Sequence, residues 1–225
     1  MARPGDVAMA KSPGDDLLAA AGEVLPPPEA SLLGALHAFA AARLRSARRL
    51  EEEVGEALSG AEPADRGGLL HAFLRECWEA LDGIGRETNV CMARLFPRAG
   101  LFPPLEMTRQ CTLYVVRLRL HRDPATAVHP VAAFLWRETR AAPPAAYLRL
   151  SFLHNLALFV AVPILEGGLL PGAEDVPEGL RGSVRPPDPG LGRCEARAGL
   201  REIADWLESF AAECYRLLAE ALRAA

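Results

Sequence analysis

Apolar residues recur at helical spacing over most of the chain. Leu33, Leu36, Ala40, Ala47, Leu50, Val54 and Leu58 fall on one helix face and predict a helix over Glu29–Leu58. Ser59-Gly60 ends it, and Pro63 opens the next segment. A second helix is predicted over Asp65–Phe96 from Leu70, Phe73, Leu74, Cys77, Leu81, Ile84, Thr88, Cys91 and Leu95. Gly83 and Gly85 stand inside it, and each costs about 1 kcal/mol against alanine in a helix interior. They predict either the close approach of another helix or a kink.

Pro97–Pro104 reads as a loop. In Leu105–Arg122, Val115 to Leu120 alternates like a strand, but the chain offers no partner strand and the segment is assigned as helix. A short helix follows from His129-Pro130 to about Arg140, with proline suited to the first turn. After Pro143-Pro144, another helix is predicted over Ala145–Val162. Residues 163–192 are rich in glycine and proline without a period, and read as a disordered or surface-draped loop.

The last helix carries a heptad seam: Leu200, Ile203, Leu207, Phe210, Cys214, Leu217 and Ala221 are spaced three and four apart in turn. That pattern suits a long bundle helix and a dimeric coiled coil equally. Residues 1–28, closed by three prolines, read as a flexible tail with room for one short helix at Leu17–Val24. The expected fold is all-α: an antiparallel bundle of five to six helices forming a single domain over residues 29–225.

Composition narrows the classes. Over 225 residues, 50% are hydrophobic and 24% charged, which excludes a wholly disordered chain, a collagen-like repeat and a disulfide miniprotein. Lys11 is the only lysine among 25 basic residues; a GC-rich genome explains that bias without any arginine chemistry. Residues 98–149 hold 8 basic and 3 acidic groups between two acidic flanks, a local attraction for anions unless the flanks neutralise it. Arg43, Arg45, Arg48 and Arg49 precede Glu51, Glu52 and Glu53 and read as charges paired along a helix surface. Five cysteines without CxxC spacing point to reduced thiols in a cytoplasm. No signal-peptide core precedes the domain, and the most apolar stretch, Ala145–Val162, contains Arg149 and His154, so no membrane association is expected.

Chemistry is sparse. There is no P-loop or GxSxG, so no nucleotide cofactor or serine hydrolase site is expected. His37, His71, His121, His129 and His154 lack HExxH, ExxH or His-x3-His spacing, and no metal or other cofactor is expected. Within Ala145–Val162, Arg149, Ser151, His154 and Asn155 form a polar island. Buried polar groups must be hydrogen-bonded, solvent-lined or functional. A purely structural reading has Ser151 bonding to its own helix, Arg149 reaching solvent, and His154 and Asn155 bonding a neighbour.

The stretch Tyr147 to His154, with Arg149 and His154 five apart, resembles the signature of the HEPN superfamily of helical-bundle proteins. Leu81 to Asn89, ending in Glu87-Thr88-Asn89, is similar to an acidic stretch on an earlier helix of some members. The resemblance implies an RNA-binding protein or metal-independent endoribonuclease of toxin–antitoxin or defence systems, with its cleft completed by a homodimer partner. It also implies that His154 handles the proton and Arg149 the scissile phosphate, with Ser151, Asn155, Glu87 and Asn89 in support. Such roles suit an imidazole near neutral pH and a bidentate guanidinium. The alternative is a non-catalytic interaction bundle that uses the heptad helix to bind itself or a partner; a metal-dependent helical enzyme is the third reading.

Overall fold

Two long antiparallel-type helices carry the molecule: α2 (Pro27–Ser59) and α3 (Arg66–Leu95). The structure, a computed structural model, describes residues 12–59, 66–184 and 191–225. Both helices match their apolar period. Gly83 lets α2 approach, since a Cβ there would lie 3.0 Å from the Ala40 Cβ. Gly85 lets the chain at Leu113 approach, since a Cβ there would lie 2.6 Å from its backbone. The helix runs unbroken through both, so the glycines serve close packing and not a kink.

Residues 12–28 are not a tail. α1 (Pro13–Val24) starts at a reciprocal cap in which Ser12 and Asp15 satisfy each other's backbone donors. Leu17, Ala20 and Ala21 are buried in the common core, which makes α1 part of the domain. Residues 1–11 of the expected tail lie outside the described residues.

α4 (Leu113–Arg122) occupies only the second half of the segment predicted from Leu105. Before it stands a single 3₁₀ turn at Pro104–Glu106. Leu113, Val116, Arg117 and Leu120 are its buried positions, a helical stripe hidden inside what reads as alternation. α5 (Pro124–Ala127) and α6 (Pro130–Trp136) follow. The imidazole of His129 caps α6 by accepting the Val131 N–H at 3.2 Å. A π-helical turn (Arg137–Ala141) extends α6.

α7 (Ala145–Ala157) stops short of the expected Val162. Pro163 disfavours helical backbone at Val162, and the Val162 N–H donates instead to Nε2 of His71 on α3 at 3.2 Å. Within the segment from residue 163 to 192, the described residues, 163–184 and 191–192, are more structured than their composition suggests, and 185–190 lie outside the described residues. β1 (Leu169–Leu170) pairs antiparallel with β2 (Cys194–Glu195), after a turn in which Gly167 and Gly168 both have positive φ. Leu170, Val176 and Val184 are buried, so the described part drapes over the core.

α8 (Ala196–Arg223) settles the heptad question in favour of the bundle. Leu200, Ile203, Leu207, Phe210 and Cys214 are buried within their own chain. Beyond Cys214 the buried positions are Tyr215, Leu218, Ala219 and Leu222 rather than Leu217 and Ala221. A straight helix of 3.6 residues per turn drifts off a 3.5 repeat in this way. The arginine-rich face of α2 pairs largely across helices: Arg43 with Glu76 and Glu79 of α3, Arg48 with Asp205 and Glu208 of α8. The protein is all-α apart from the two-residue strands, and no described helix is long and apolar enough to cross a membrane.

Candidate ligand-binding site

α7 carries four polar residues inside an apolar sequence, and the helix sends them to different places. Arg149 and His154 lie five residues apart, which on a straight helix is about 140° of rotation. Arg149 is 8% exposed and reaches toward the hairpin, where it donates to the Gly192 carbonyl at 3.2 Å. His154 lies flat on Trp78 of α3, ring centroids 4.2 Å apart and planes within 3°. Burial holds its imidazole below the ordinary histidine value, which favours the neutral form. The helix thus gives the two residues separate neighbours.

The other two face one cavity. Tyr147, Ser151 and Asn155, spaced by four, line a space of about 370 Å³ between α3, α4, the π-turn and α7. The side chains of Ser151 and Asn155 have no hydrogen-bond partner among the described residues. Ser151 therefore does not bond back to its helix. Trp78 and Leu81 of α3 and Leu113 and Tyr114 of α4 complete the lining.

Arg117 is the residue that makes this cavity chemically distinctive. It occupies a core position on α4 and is 6% exposed. Its Nη1 donates to both the carbonyl and the hydroxyl of Thr139, each at 2.7 Å. The π-turn holds Thr139 in place, because the hydroxyl in turn donates to the Leu135 carbonyl at 2.6 Å. The same turn brings Arg140 to the cavity rim. π-Turns interrupt regular helices at a cost and often mark functional positions.

The rings of Tyr114 and Trp136 lie 5.0 and 5.8 Å from the Arg117 guanidinium carbon, within cation–π range. His121 stacks on Trp136, with ring centroids 3.5 Å apart. No carboxylate among the described residues pairs with Arg117, and its buried Nε has no partner. Burial pushes the Tyr147 phenol up, while Arg117 and Arg140 pull it back.

Asp82 is the acidic member of the lining. Its Oδ1 accepts the Leu113 N–H at 3.1 Å and so ties the first turn of α4 to α3. Burial raises its carboxyl above the usual range, against that hydrogen bond and Arg86. Asp82 and Gly85 are one turn apart on α3, so hydrogen bond and close approach together dock α4 beside the cavity.

Glu87 and Asn89 serve the fold elsewhere. Glu87 is fully buried; His37 Nδ1 lies 2.8 Å from one oxygen and the Tyr215 phenol donates to the other at 2.9 Å. Asn89 bonds both backbone groups of Phe102, at 2.9 and 3.1 Å, and pins the loop after α3. The histidines are likewise dispersed: His37 on Glu87, His71 on Val162, His121 on Trp136, His129 at the α6 cap, His154 on Trp78. Among the described residues no three metal-ligating side chains come together.

Arg117, Asp82, Thr139 and Tyr147 were not legible as site residues in the sequence. The available signal was Arg117 itself, an arginine set in the stripe Leu113, Val116, Leu120. It emerges only when the segment is read with a helical period. Compared with known proteins, the chain matches no family model, no curated protein and no solved structure. The resemblance to HEPN proteins therefore rests on the sequence.

Proposed function

We propose that the protein is a helical-bundle binding protein whose cavity between α3, α4, the π-turn and α7 holds a small molecule. One observation carries this reading: the partner-free Ser151 and Asn155 converge with the buried, carboxylate-free Arg117 on one aromatic-walled space. Its volume, about 370 Å³, falls within the usual range of ligand pockets, roughly 300–1,000 Å³. A few polar groups on an otherwise apolar wall are what fixes a ligand's orientation in such sites.

RNA cleavage through Arg149 and His154 requires both groups on one cleft. The contacts to Gly192 and Trp78 direct them apart, which favours the cavity over that reading. Self-association through the heptad face of α8 meets a similar obstacle, since Ile203, Leu207 and Phe210 are already used in the protein's own core.

The test is a titration of ¹⁵N-labelled protein with benzyl alcohol, a neutral aromatic probe. The Trp78 indole and the Ser151 and Asn155 amides are expected to shift. Ser151→Phe, which fills the cavity, is expected to abolish those shifts while the rest of the spectrum is retained. Shifts confined to another region, or the same shifts in Ser151→Phe, would overturn the assignment.

A further inference from the structure

The charge balance of the cavity identifies what it lacks. Among the described residues, Arg117 and Arg140 line it with Asp82 as the one carboxylate. The Asp82 carboxylate faces the Leu113 N–H and not Arg117. Arg43, Arg48 and Arg216 have acidic partners at close range, Glu76, Glu208 and Glu213, whereas the buried Arg149, like Arg117, bonds a backbone carbonyl but lies outside this cavity. A charged group that is 6% exposed without a counter-ion is expensive to bury, so an anion drawn to it gains much of that cost back.

The hydrogen-bonding pattern indicates the shape of that anion. Both bonds to Thr139 come from Nη1. The Nε–H is sealed from solvent and has no partner, and it shares one edge of the guanidinium with Nη2. Two parallel bonds from such an edge match a carboxylate. The walls beside it are aromatic: Trp78, Tyr114 and Tyr147. Ser151 and Asn155, a turn apart on α7, offer a hydroxyl and an amide free to bond a second polar substituent.

Resting on the assignment of this cavity as the binding site, we infer that its ligand class is a compact aromatic monocarboxylate. The carboxylate sits on Arg117, the ring lies among Trp78, Tyr114 and Tyr147, and a ring substituent bonds Ser151 or Asn155. One negative charge brings the two arginines and Asp82 to neutrality; a cationic ligand would leave Arg117 uncompensated.

The experiment compares four probes of similar size on the full chain: benzoate, 4-hydroxybenzoate, benzamide and benzylamine, by the same ¹⁵N titration. Benzoate is expected to bind at least about tenfold more tightly than benzamide, as a charge-assisted pair warrants. 4-Hydroxybenzoate should bind more tightly than benzoate, and that gain should disappear in Asn155→Leu combined with Ser151→Ala. Arg117→Gln is expected to reduce benzoate to the benzamide level. Should that variant fail to fold, the wild-type probe ranking still decides, and the exposed Arg140→Gln should weaken benzoate without changing benzamide.

Benzamide or benzylamine binding as well as benzoate, with benzyl alcohol still seated beside Ser151, would overturn the carboxylate class and leave the cavity as a site. Failure of every probe, benzyl alcohol included, would overturn the cavity reading and this inference with it.

Discussion

Tyr215 of α8 donates its phenol proton to Oε2 of Glu87 on α3, at 2.9 Å and fully within the core. His37 of α2 occupies the other oxygen at 2.8 Å, so one carboxyl ties three helices. Burial pushes the Glu87 carboxyl up, and its bonds to His37 and Tyr215 pull it down. Tyr215→Phe keeps the ring and leaves a buried oxygen without its donor. Such a loss costs about 1–3 kcal/mol, to be read as a lower urea midpoint at neutral pH. An unchanged midpoint would show that the carboxyl finds another donor.

Glycine substitutions should separate packing from backbone effects. Gly85→Ala places a methyl 2.6 Å from the Leu113 backbone, where no flexible side chain can yield. Overpacking of this kind costs about 1–3 kcal/mol, and here it also strains the Asp82–Leu113 hydrogen bond. Gly34→Ala lies in α2 with nothing within 4 Å of the added methyl. It should stabilise by up to about 1 kcal/mol through helix propensity. Thermal or urea unfolding of the two variants is expected to move in opposite directions; the same sign for both would contradict the packing described.

Acid should destabilise the protein just below neutrality. Burial lowers both His154 and His129. The unfolded chain therefore binds these protons before the folded one does, and stability rises with pH across the interval between the lowered folded values and the ordinary value near about 6.5. The contribution is complete above that interval and is lost as pH falls through it. Protonated His129 also loses the lone pair that accepts the Val131 N–H. His154→Phe keeps a ring on Trp78 and removes one titrating group. Its urea midpoint should fall less than the wild type's between pH 7.5 and 5.5; equal slopes would remove His154 from the account.

The elements with the longest apolar periods were readable from sequence, and their limits trace to specific contacts. α2, α3 and α8 follow Leu33–Val54, Leu70–Cys91 and Leu200–Cys214, because one buried face dictates residue type along the whole helix. α4 was obscured because Arg117 fills a core position and breaks the stripe. α1 was obscured by flanking prolines, although Pro13 sits in the first turn where its missing N–H costs nothing. α7 ends at Ala157, before Pro163, and the Val162 N–H meets His71 of α3 and not a helical carbonyl, a long-range partner that no local pattern encodes. The polar island on α7 contains Ser151 and Asn155, but which face of the helix meets the cavity is set by packing and not by the local sequence. Spacing alone groups Arg149 and His154, whereas the helix turns them to the hairpin and to Trp78.

Thiol chemistry offers a check on the whole core. Cys77, Cys91, Cys111 and Cys214 are buried, and Cys194, in β2, is partly open. Burial raises all five thiols, with Cys111 pushed up to about 11 and Cys214 to about 12. The thiolate is the reactive form, so raised values and restricted access act in the same direction. Cys194 is moderated by the nearby Arg149 guanidinium, which opposes its shift. With an aromatic disulfide reagent at pH 8, one of the five thiols should react ahead of the others. Cys194→Ser should remove that phase, while the remaining four react at the rate of unfolding in urea. Rapid reaction of Cys91 or Cys214 in the native protein would place α8 away from α3, contrary to the Tyr215–Glu87 bond that joins them.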